Sequence, residues 1–379
     1  MRFKPLILTV AVTLAASVVP ASAVAGRLGL QDDADAIRAV GVTGVIARET
    51  SAHGSRTVVS GVAELDGQQP PRPDGRFRIG STNKTLVATV VLQLVAEKRI
   101  GLDDSVEKWL PGLVQGNGYD GRRITVRHLL QHTAGIYDGY FPNIQSAQEY
   151  YERRYLPHTE EEIVRAGLSH APDFQPGEGW SYSNTGYDLV GLVIKAVTGR
   201  TWYDEVDRRI VRPLKLHQTY FPGTNPRIAG PHAHGYTRFT SGKYTDTTKL
   251  TDADASGGYI STVRDLDVFV RALFGGRLLK PAQLQEMMRT VAVDESVEQM
   301  WPGARYGLGV FSRDLSCGGT VWIPSGDQIG YKTRLGSTED GGHSVVLSMS
   351  TQLNDSMEAA LSQESAARKL VDNAICDAA

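Results

Sequence analysis

The stretch Arg76-Phe77-Arg78-Ile79-Gly80-Ser81-Thr82-Asn83-Lys84 constrains this chain more than any other. It reads as a short strand that turns at Gly80 into a helix whose Leu86, Val87, Val90, Val91, Leu94 and Val95 recur at helical spacing. The spacing predicts a buried helix of about four turns, ending near Gly101. Ser81 then stands at the helix N-terminus, where unpaired backbone N–H groups and the positive end of the dipole favour a developing oxyanion. Lys84 follows three residues later on the same face, within reach of the Ser81 hydroxyl. A serine hydroxyl is a weak nucleophile, and a lysine held beside it in a desolvated position can act as its base.

Ordinary helix capping produces the same Ser-x-x-Lys pattern. Ser105-Val106-Glu107-Lys108 is an internal control: it follows Asp103-Asp104, opens a turn stopped by Pro111-Gly112, and reads as a cap. The pattern alone therefore does not establish catalysis.

Arg2 and Lys4 precede the apolar run Pro5 to Val19, and Ala21-Ser22-Ala23 offers small residues for cleavage. Residues 1–23 read as a secretory signal peptide and residues 24–379 as the exported, extracellular domain. No later stretch is apolar over a length that spans a bilayer, and the C-terminus shows neither an anchor helix nor a basic tail. Losing Arg2 and Lys4 makes the formal charge of −2 more negative, which leaves no basic surface for nucleic acid. In an oxidising compartment Cys317 and Cys376 are expected to form one disulfide, tying the last helix to a strand.

Asp32 to Val40 reads as a short amphipathic helix, and Gly44 to Arg48 and Thr57 to Ala63 as a hairpin turning at His53-Gly54. From about 105 to 240 helical patterns predominate, with turns at Pro111-Gly112, Pro142-Asn143 and Pro176-Gly177. A helix at Val263 to Phe274 follows, then strands at Thr320 to Ile323, Tyr331 to Leu335 and Ser344 to Ser350. The last helix keeps Met357, Ala360, Leu361, Ala367, Leu370, Val371 and Ile375 on one face. Together these predict an α+β fold: an antiparallel sheet formed by both chain ends and flanked by helices, with a helix-rich subdomain inserted at about 105–240. The site should lie between sheet and insert.

A second chemical element is Trp180-Ser181-Tyr182-Ser183-Asn184-Thr185-Gly186-Tyr187, just after the turn at Pro176-Gly177. A tyrosine beside a serine and lysine can pass a proton to a leaving amine, and an asparagine amide can orient a peptide carbonyl while bonding the lysine. Aromatic loops also serve simply as packing.

Ser81-x-x-Lys84 and Tyr182-x-Asn184, in this order and between sheet-forming ends, resemble the serine β-lactamase and penicillin-binding superfamily. More specifically, the chain resembles the secreted D-alanyl-D-alanine carboxypeptidases of actinomycetes and the class C β-lactamases. The likeness includes Phe77 to Ser81, Ile124 to Arg127, His132 to Gly135, Tyr182 to Thr185, Tyr306 to Gly309 and Arg313 to Gly318. The resemblance implies a β-lactamase/transpeptidase-like fold in which Ser81 is acylated, Lys84 and Tyr182 share proton transfer, and Asn184 holds the substrate amide. One oxyanion donor would be the Ser81 N–H, and the other would follow the family's third motif, Lys or His, then Thr or Ser, then Gly.

Here the sequence departs from the family. The third motif falls on Pro324-Ser325-Gly326, so Ser325 keeps a hydroxyl, Gly326 keeps the strand edge open, and the cation is missing. Asp327 would present the second oxyanion N–H and bring a carboxylate with it. Where the actinomycete carboxypeptidases carry an arginine that grips the terminal carboxylate, two positions before Arg313, this chain has Phe311. Each charge-assisted contact to a carboxylate is worth about 1.5–3 kcal/mol. Arg313, Lys332 or Arg334 are the candidates to compensate, and Lys332-Thr333 is the alternative position for the motif.

His232-Ala233-His234 offers two imidazoles without a suitably spaced third ligand, and Asp252-Ala253-Asp254 reads as a solvated loop near the site rim. No metal site and no organic cofactor are expected. By resemblance the first expectation is a secreted serine hydrolase, acting as a D-alanyl-D-alanine carboxypeptidase on peptidoglycan stem peptides. The two departures keep two alternatives open. One is an esterase or D-amino-acid amidohydrolase of the same fold, and the other a catalytically weak sensor of peptidoglycan or β-lactams. The expected partner is a small acyl substrate, with no nucleic acid and no membrane anchor, and the chain is expected to act as a monomer.

Overall fold

The helix Asn83–Ala96 is buried from Asn83 through Leu92 without a polar face, so it can exist only inside the molecule. In the computed structural model, which describes residues 29–139, 144–251 and 254–377, the helices Asn184–Thr198, Trp202–Val206 and Pro281–Met287 pack around it. It stops at Ala96 rather than near Gly101, because Lys98 turns to φ +59° and the Arg99 N–H returns to the Leu94 carbonyl. Ahead of it, the strand Phe77–Arg78 pairs with Ile260–Ser261. The buried Arg78 guanidinium donates to the carbonyls of Pro226 and Leu250 at 2.8 and 2.9 Å, so the entry to the helix is tied to two distant loops. The signal-peptide reading of residues 1–23, the turn at Pro142-Asn143 and Asp252 lie outside the described residues.

Both chain ends build the main sheet, and all its pairings are antiparallel. From one edge the order is Gly54–Gly61, Gly44–Ser51, Ser344–Met349, Tyr331–Ser337, Thr320–Ile323, Phe311–Asp314, Arg305–Tyr306 and Val291–Ala292. A ninth strand, Ser325–Gln328, also pairs with Tyr331–Ser337. It keeps the register of Thr320–Ile323, since Trp322 faces Ser337 and Ser325 faces Arg334. Pro324 interrupts what is otherwise one strand because it has no N–H for the ladder. Leu30–Ala39 and the C-terminal helix Met357–Cys376 cover one face with Leu30, Ile37, Leu370 and Val371. Val263–Phe274 packs against Gly44–Ser51 and Ser344–Met349. The fold is α+β.

Between Val106 and Val211 the regular elements of the described residues are mostly helical. Glu160 begins one of these helices, and its carboxylate accepts from Trp202 Nε1. Burial pushes this carboxyl up to about 7, helped by the nearby charges of Asp254 and Glu161 and opposed by the Trp202 bond. Cys317 and Cys376 form the disulfide, joining the turn after Phe311–Asp314 to the end of the last helix across a sequence separation of 59. No helix of the described residues is long and apolar enough to cross a membrane.

Two outcomes follow. Because the bridge closes a long loop, replacing both cysteines with serine is expected to cost about 2–4 kcal/mol in a denaturant melt; an unchanged midpoint would exclude that role. A raised folded-state pKa means that Glu160 favours the native state below its unfolded value and that this contribution is lost as pH rises through about 7. Glu160→Gln keeps an acceptor for Trp202 without the charge. It should therefore stabilise the protein by about 1–3 kcal/mol at pH 8.5 and by nothing measurable at pH 4. A difference independent of pH would contradict this.

Candidate active site

Ser81 is the middle residue of a 3-10 turn, Gly80–Thr82, that runs straight into the helix Asn83–Ala96. Thr82 takes the N-cap position, so the Ser81 hydroxyl has no capping duty. Its partner is Lys84, whose Nζ donates to Ser81 Oγ at 3.1 Å, to Asn184 Oδ1 at 2.6 Å and to the Ser256 carbonyl at 2.9 Å. These acceptors exhaust the three donors of an ammonium. In a neutral amine the two fixed acceptors, Asn184 and Ser256, take the remaining N–H groups and leave the lone pair aimed at Ser81. That is the geometry a general base needs. The control pattern behaves differently: Ser105 occupies an N-cap position, makes no capping bond, and Lys108 goes to Asp104 at 2.8 Å.

Asn184 opens the helix Asn184–Thr198, which Ser183 caps by accepting from the Gly186 N–H at 3.0 Å. Asp138 holds Asn184 from the other side, accepting from its backbone N–H at 3.0 Å and its side-chain Nδ2 at 2.9 Å. That bond decides which end of the amide faces Lys84. Burial raises the Asp138 carboxyl above its ordinary range, opposed by the charge of Lys84 and by the bonds from Asn184 and Thr185. Tyr182 is positioned through its ring, which lies 4.4 Å from the His132 ring, while Lys84 Nζ sits 4.8 Å from its centroid. His132 is buried at the left-handed end of the helix Val126–Gln131, and its Nδ1 accepts from the Ser183 N–H at 3.2 Å. Burial, with the charge of Lys84, holds the imidazole well below its usual range, so His132 is a neutral wall behind Tyr182.

The strand Ser325–Gln328 closes the site. Leu335 N–H donates to the Pro324 carbonyl, which sets the phase of the ladder: Gly326 and Gln328 turn their backbone groups to Tyr331–Ser337, and Ser325 and Asp327 turn theirs the other way. That free edge meets the Ser81 turn. Gly80 has φ +51°, and a Cβ there would lie 2.4 Å from the Asp327 carbonyl oxygen. A Cβ on Gly326 would lie 2.0 Å from the Ile79 oxygen and 2.7 Å from the Ser81 nitrogen. Two glycines therefore allow the Ser81 and Asp327 backbones to face one space above the Ser81 hydroxyl. A cleft of about 1250 Å³ opens over this point, lined among others by Ser81, Tyr182, Asn184, Ser325 and Asp327.

A family model described as Beta-lactamase matches residues 34–368. The chain belongs to the beta-lactamase family. Among solved structures it is similar to a D-stereospecific amidohydrolase from Streptomyces sp., at 39% identity and TM-score 0.79 over 88% of this chain and 97% of that one. It is also similar to the D-amino acid amidase of Ochrobactrum anthropi SV3 complexed with D-phenylalanine, at 25% identity and TM-score 0.79, covering 92% of this chain and 98% of that one. Among curated proteins it is 26% identical to penicillin-binding protein 4* of Bacillus subtilis over 73% of this chain, a match that spans 60% of that relative's length.

The candidate cations near the strand Ser325–Gln328 are all engaged with carboxylates. Arg313 is occupied elsewhere, bonded to Asp372 on the last helix at 3.2 Å. Lys332 and Arg334 do line the cleft, so positive charge is present beside the third motif even though Pro324 lacks it. Both are paired: Lys332 with Glu364 at 2.6 Å and Asp327 at 3.3 Å, Arg334 with Asp327 at 2.6 Å and with Glu364. The Asp327 carboxylate is thus neutralised rather than projecting a bare charge. Phe311 packs edge-on to Tyr306 and Trp301 at 4.5 and 4.8 Å and lines the cleft together with Trp301. Asp254 is buried rather than solvated, because its Oδ1 accepts from the N–H groups of Ser256 and Gly257 and thereby shapes the loop that offers the Ser256 carbonyl to Lys84. His234 lies between Asp246 and Glu64, at 2.8 and 3.2 Å, beyond the cleft lining.

Asp138 and Ser256 escaped sequence reasoning because one lone aspartate and one backbone carbonyl carry no pattern. The close approach of strand and turn gives a direct test. Gly326→Ala forces the two backbones apart, and kcat/KM on any acyl substrate should fall about a hundredfold while the circular dichroism spectrum is retained. Wild-type kinetics in this variant would show that the approach is not needed.

Proposed function

We propose that this family member is a serine amidohydrolase that forms an acyl-enzyme on Ser81 from amides or esters of D-amino acids. The observation that carries this reading is an acylation centre with its hydrogen bonds in place beside the strand Ser325–Gln328, where Lys332 and Arg334 are already paired with carboxylates. Lys84 takes the Ser81 proton as Oγ attacks the carbonyl carbon. The backbone N–H groups of Ser81 and Asp327 receive the oxyanion, and Tyr182 with Lys84 returns the proton to the departing amine or alcohol. Asn184 still has one amide proton for the substrate carbonyl after bonding Asp138, and Ser325 offers its hydroxyl from the strand edge. Phe311 and Trp301 suit an apolar group. The D preference rests on the likeness to the Streptomyces amidohydrolase and the Ochrobactrum amidase. The disulfide and the signal-peptide reading of residues 1–23 support an extracellular place of work.

The competing reading is a carboxypeptidase of acyl-D-alanyl-D-alanine peptides, favoured by the Bacillus penicillin-binding relative and by the Ser325 hydroxyl. It requires a cation beside Ser325 free to take a terminal carboxylate, whereas Lys332 and Arg334 there are paired and the other arginines of the cleft lining, Arg153 and Arg154, come from the helical insert. The measurement that separates them compares D-phenylalanine amide, its L enantiomer and an acyl-D-Ala-D-Ala peptide. Our reading expects kcat/KM for the D-amide to exceed both by at least about tenfold and to vanish in Ser81→Ala. Faster release of D-alanine from the free-carboxylate peptide would establish the carboxypeptidase instead. No turnover of any of the three, or of activated esters, would leave a binding protein.

A further inference from the structure

Glu364 sits on the C-terminal helix with its side chain only 3% exposed, on the apolar face that covers the sheet. A buried carboxylate survives only when it is paired and its lone pairs are satisfied. Here four donors converge on it: Lys332 Nζ at 2.6 Å, Trp301 Nε1 at 2.9 Å, Arg334 Nε at 3.0 Å and Arg334 Nη2. Burial alone would raise its carboxyl, but the charges of Arg334 and Lys332 outweigh that and hold it well below the usual range. The remaining Arg334 nitrogen, Nη1, is taken by Asp327 and by the Gly326 and Thr333 carbonyls. The cluster thus contains two cations and two carboxylates, with the Trp301 ring 5.0 Å from the guanidinium of Arg334. It is electrically neutral and faces the cleft beside Ser325.

We infer that Glu364 is the specificity-determining residue for charge at the leaving-group end of the substrate. It neutralises Lys332 and Arg334 where a substrate's terminal carboxylate would otherwise be attracted, and so directs the enzyme to neutral amides and esters. This rests on the amidohydrolase reading given above and names its selecting element. Removing the negative charge with Glu364→Gln leaves an acceptor for Arg334 and gives the cleft wall a net positive charge. Asp327→Asn removes the other carboxylate from the exposed side of the cluster and leaves the Asp327 backbone N–H in place.

The test uses acyl-D-Ala-D-Ala and its C-terminal amide, scoring only cleavage of the shared D-Ala-D-Ala bond by release of D-alanine or D-alanine amide, with hydrolysis of the terminal amide counted separately. The readouts are the ratio of their kcat/KM values and the rate of adduct formation with benzylpenicillin by intact mass. The wild type should favour the amide-capped peptide. Glu364→Gln, and Asp327→Asn should the first variant fail to fold, should shift the ratio toward the carboxylate by at least about tenfold and speed penicillin acylation. A ratio within about twofold of wild type in a folded variant would overturn the inference. So would a wild type that already prefers the free carboxylate, whether or not the variants fold. Turnover of D-phenylalanine amide is read separately, so loss of the amidohydrolase reading shows there and failure of the Glu364 role shows in the ratio.

Discussion

The structure depends on one contact between two pieces of backbone: the turn Ile79–Thr82 pressed against the free edge of Ser325–Gln328. Every element around it serves to hold these two together. On one side the turn is fixed by a helix with no polar face and by the buried Arg78, whose guanidinium satisfies carbonyls of two loops. On the other, the strand is fixed by its register with Tyr331–Ser337 at the centre of the sheet. Side chains are excluded from the contact by Gly80 and Gly326, so Ser81, the proposed nucleophile, is placed by backbone geometry.

How much of this was legible in the sequence depends on the kind of signal. The serine and its helix were readable because burial on all sides imposes a pattern on consecutive residues from Asn83 to Leu92. The sheet was readable where strands are long: Gly44–Ser51, Tyr331–Ser337 and Ser344–Met349 were anticipated to within a few residues. The two-residue strands Arg305–Tyr306 and Val291–Ala292 were not, since so short a segment has no period. Asp138 could not be found from the chain because it acts through one contact with a residue 46 positions away. Glu364 did leave a trace. It falls in register with Ala360, Leu361 and Ala367 on the apolar face of the last helix, and a lone carboxylate there signals a buried partner.

The local chemistry of Lys84 shows why so many buried polar groups surround one serine. A lysine base needs its other protons held, and Asn184 and Ser256 hold them. Each holder must itself be fixed: Asn184 by Asp138, the Ser256 loop by Asp254. The neutral His132 does the same for Tyr182 by filling the space behind its ring without adding charge. Hydrogen bonds therefore extend outward from the nucleophile through Asn184 and Ser256 to Asp138 and Asp254.

On the proposed reading, acylation and substrate selection are carried by different parts of the chain. The groups that bond Lys84 come from residues 81 to 256, whereas the cleft wall that meets the far end of the substrate comes from residues 301 to 364. The last helix contributes the buried carboxylate, and it is anchored there by its packing on the sheet, by the Arg313–Asp372 bond and by the disulfide to Cys317. A substitution on that helix can change the charge seen by the substrate without touching the serine, the lysine or the oxyanion donors. On the proposed reading, the ion pairs that the final helix completes set the charge at the far end of the cleft while the groups around Ser81 stay the same.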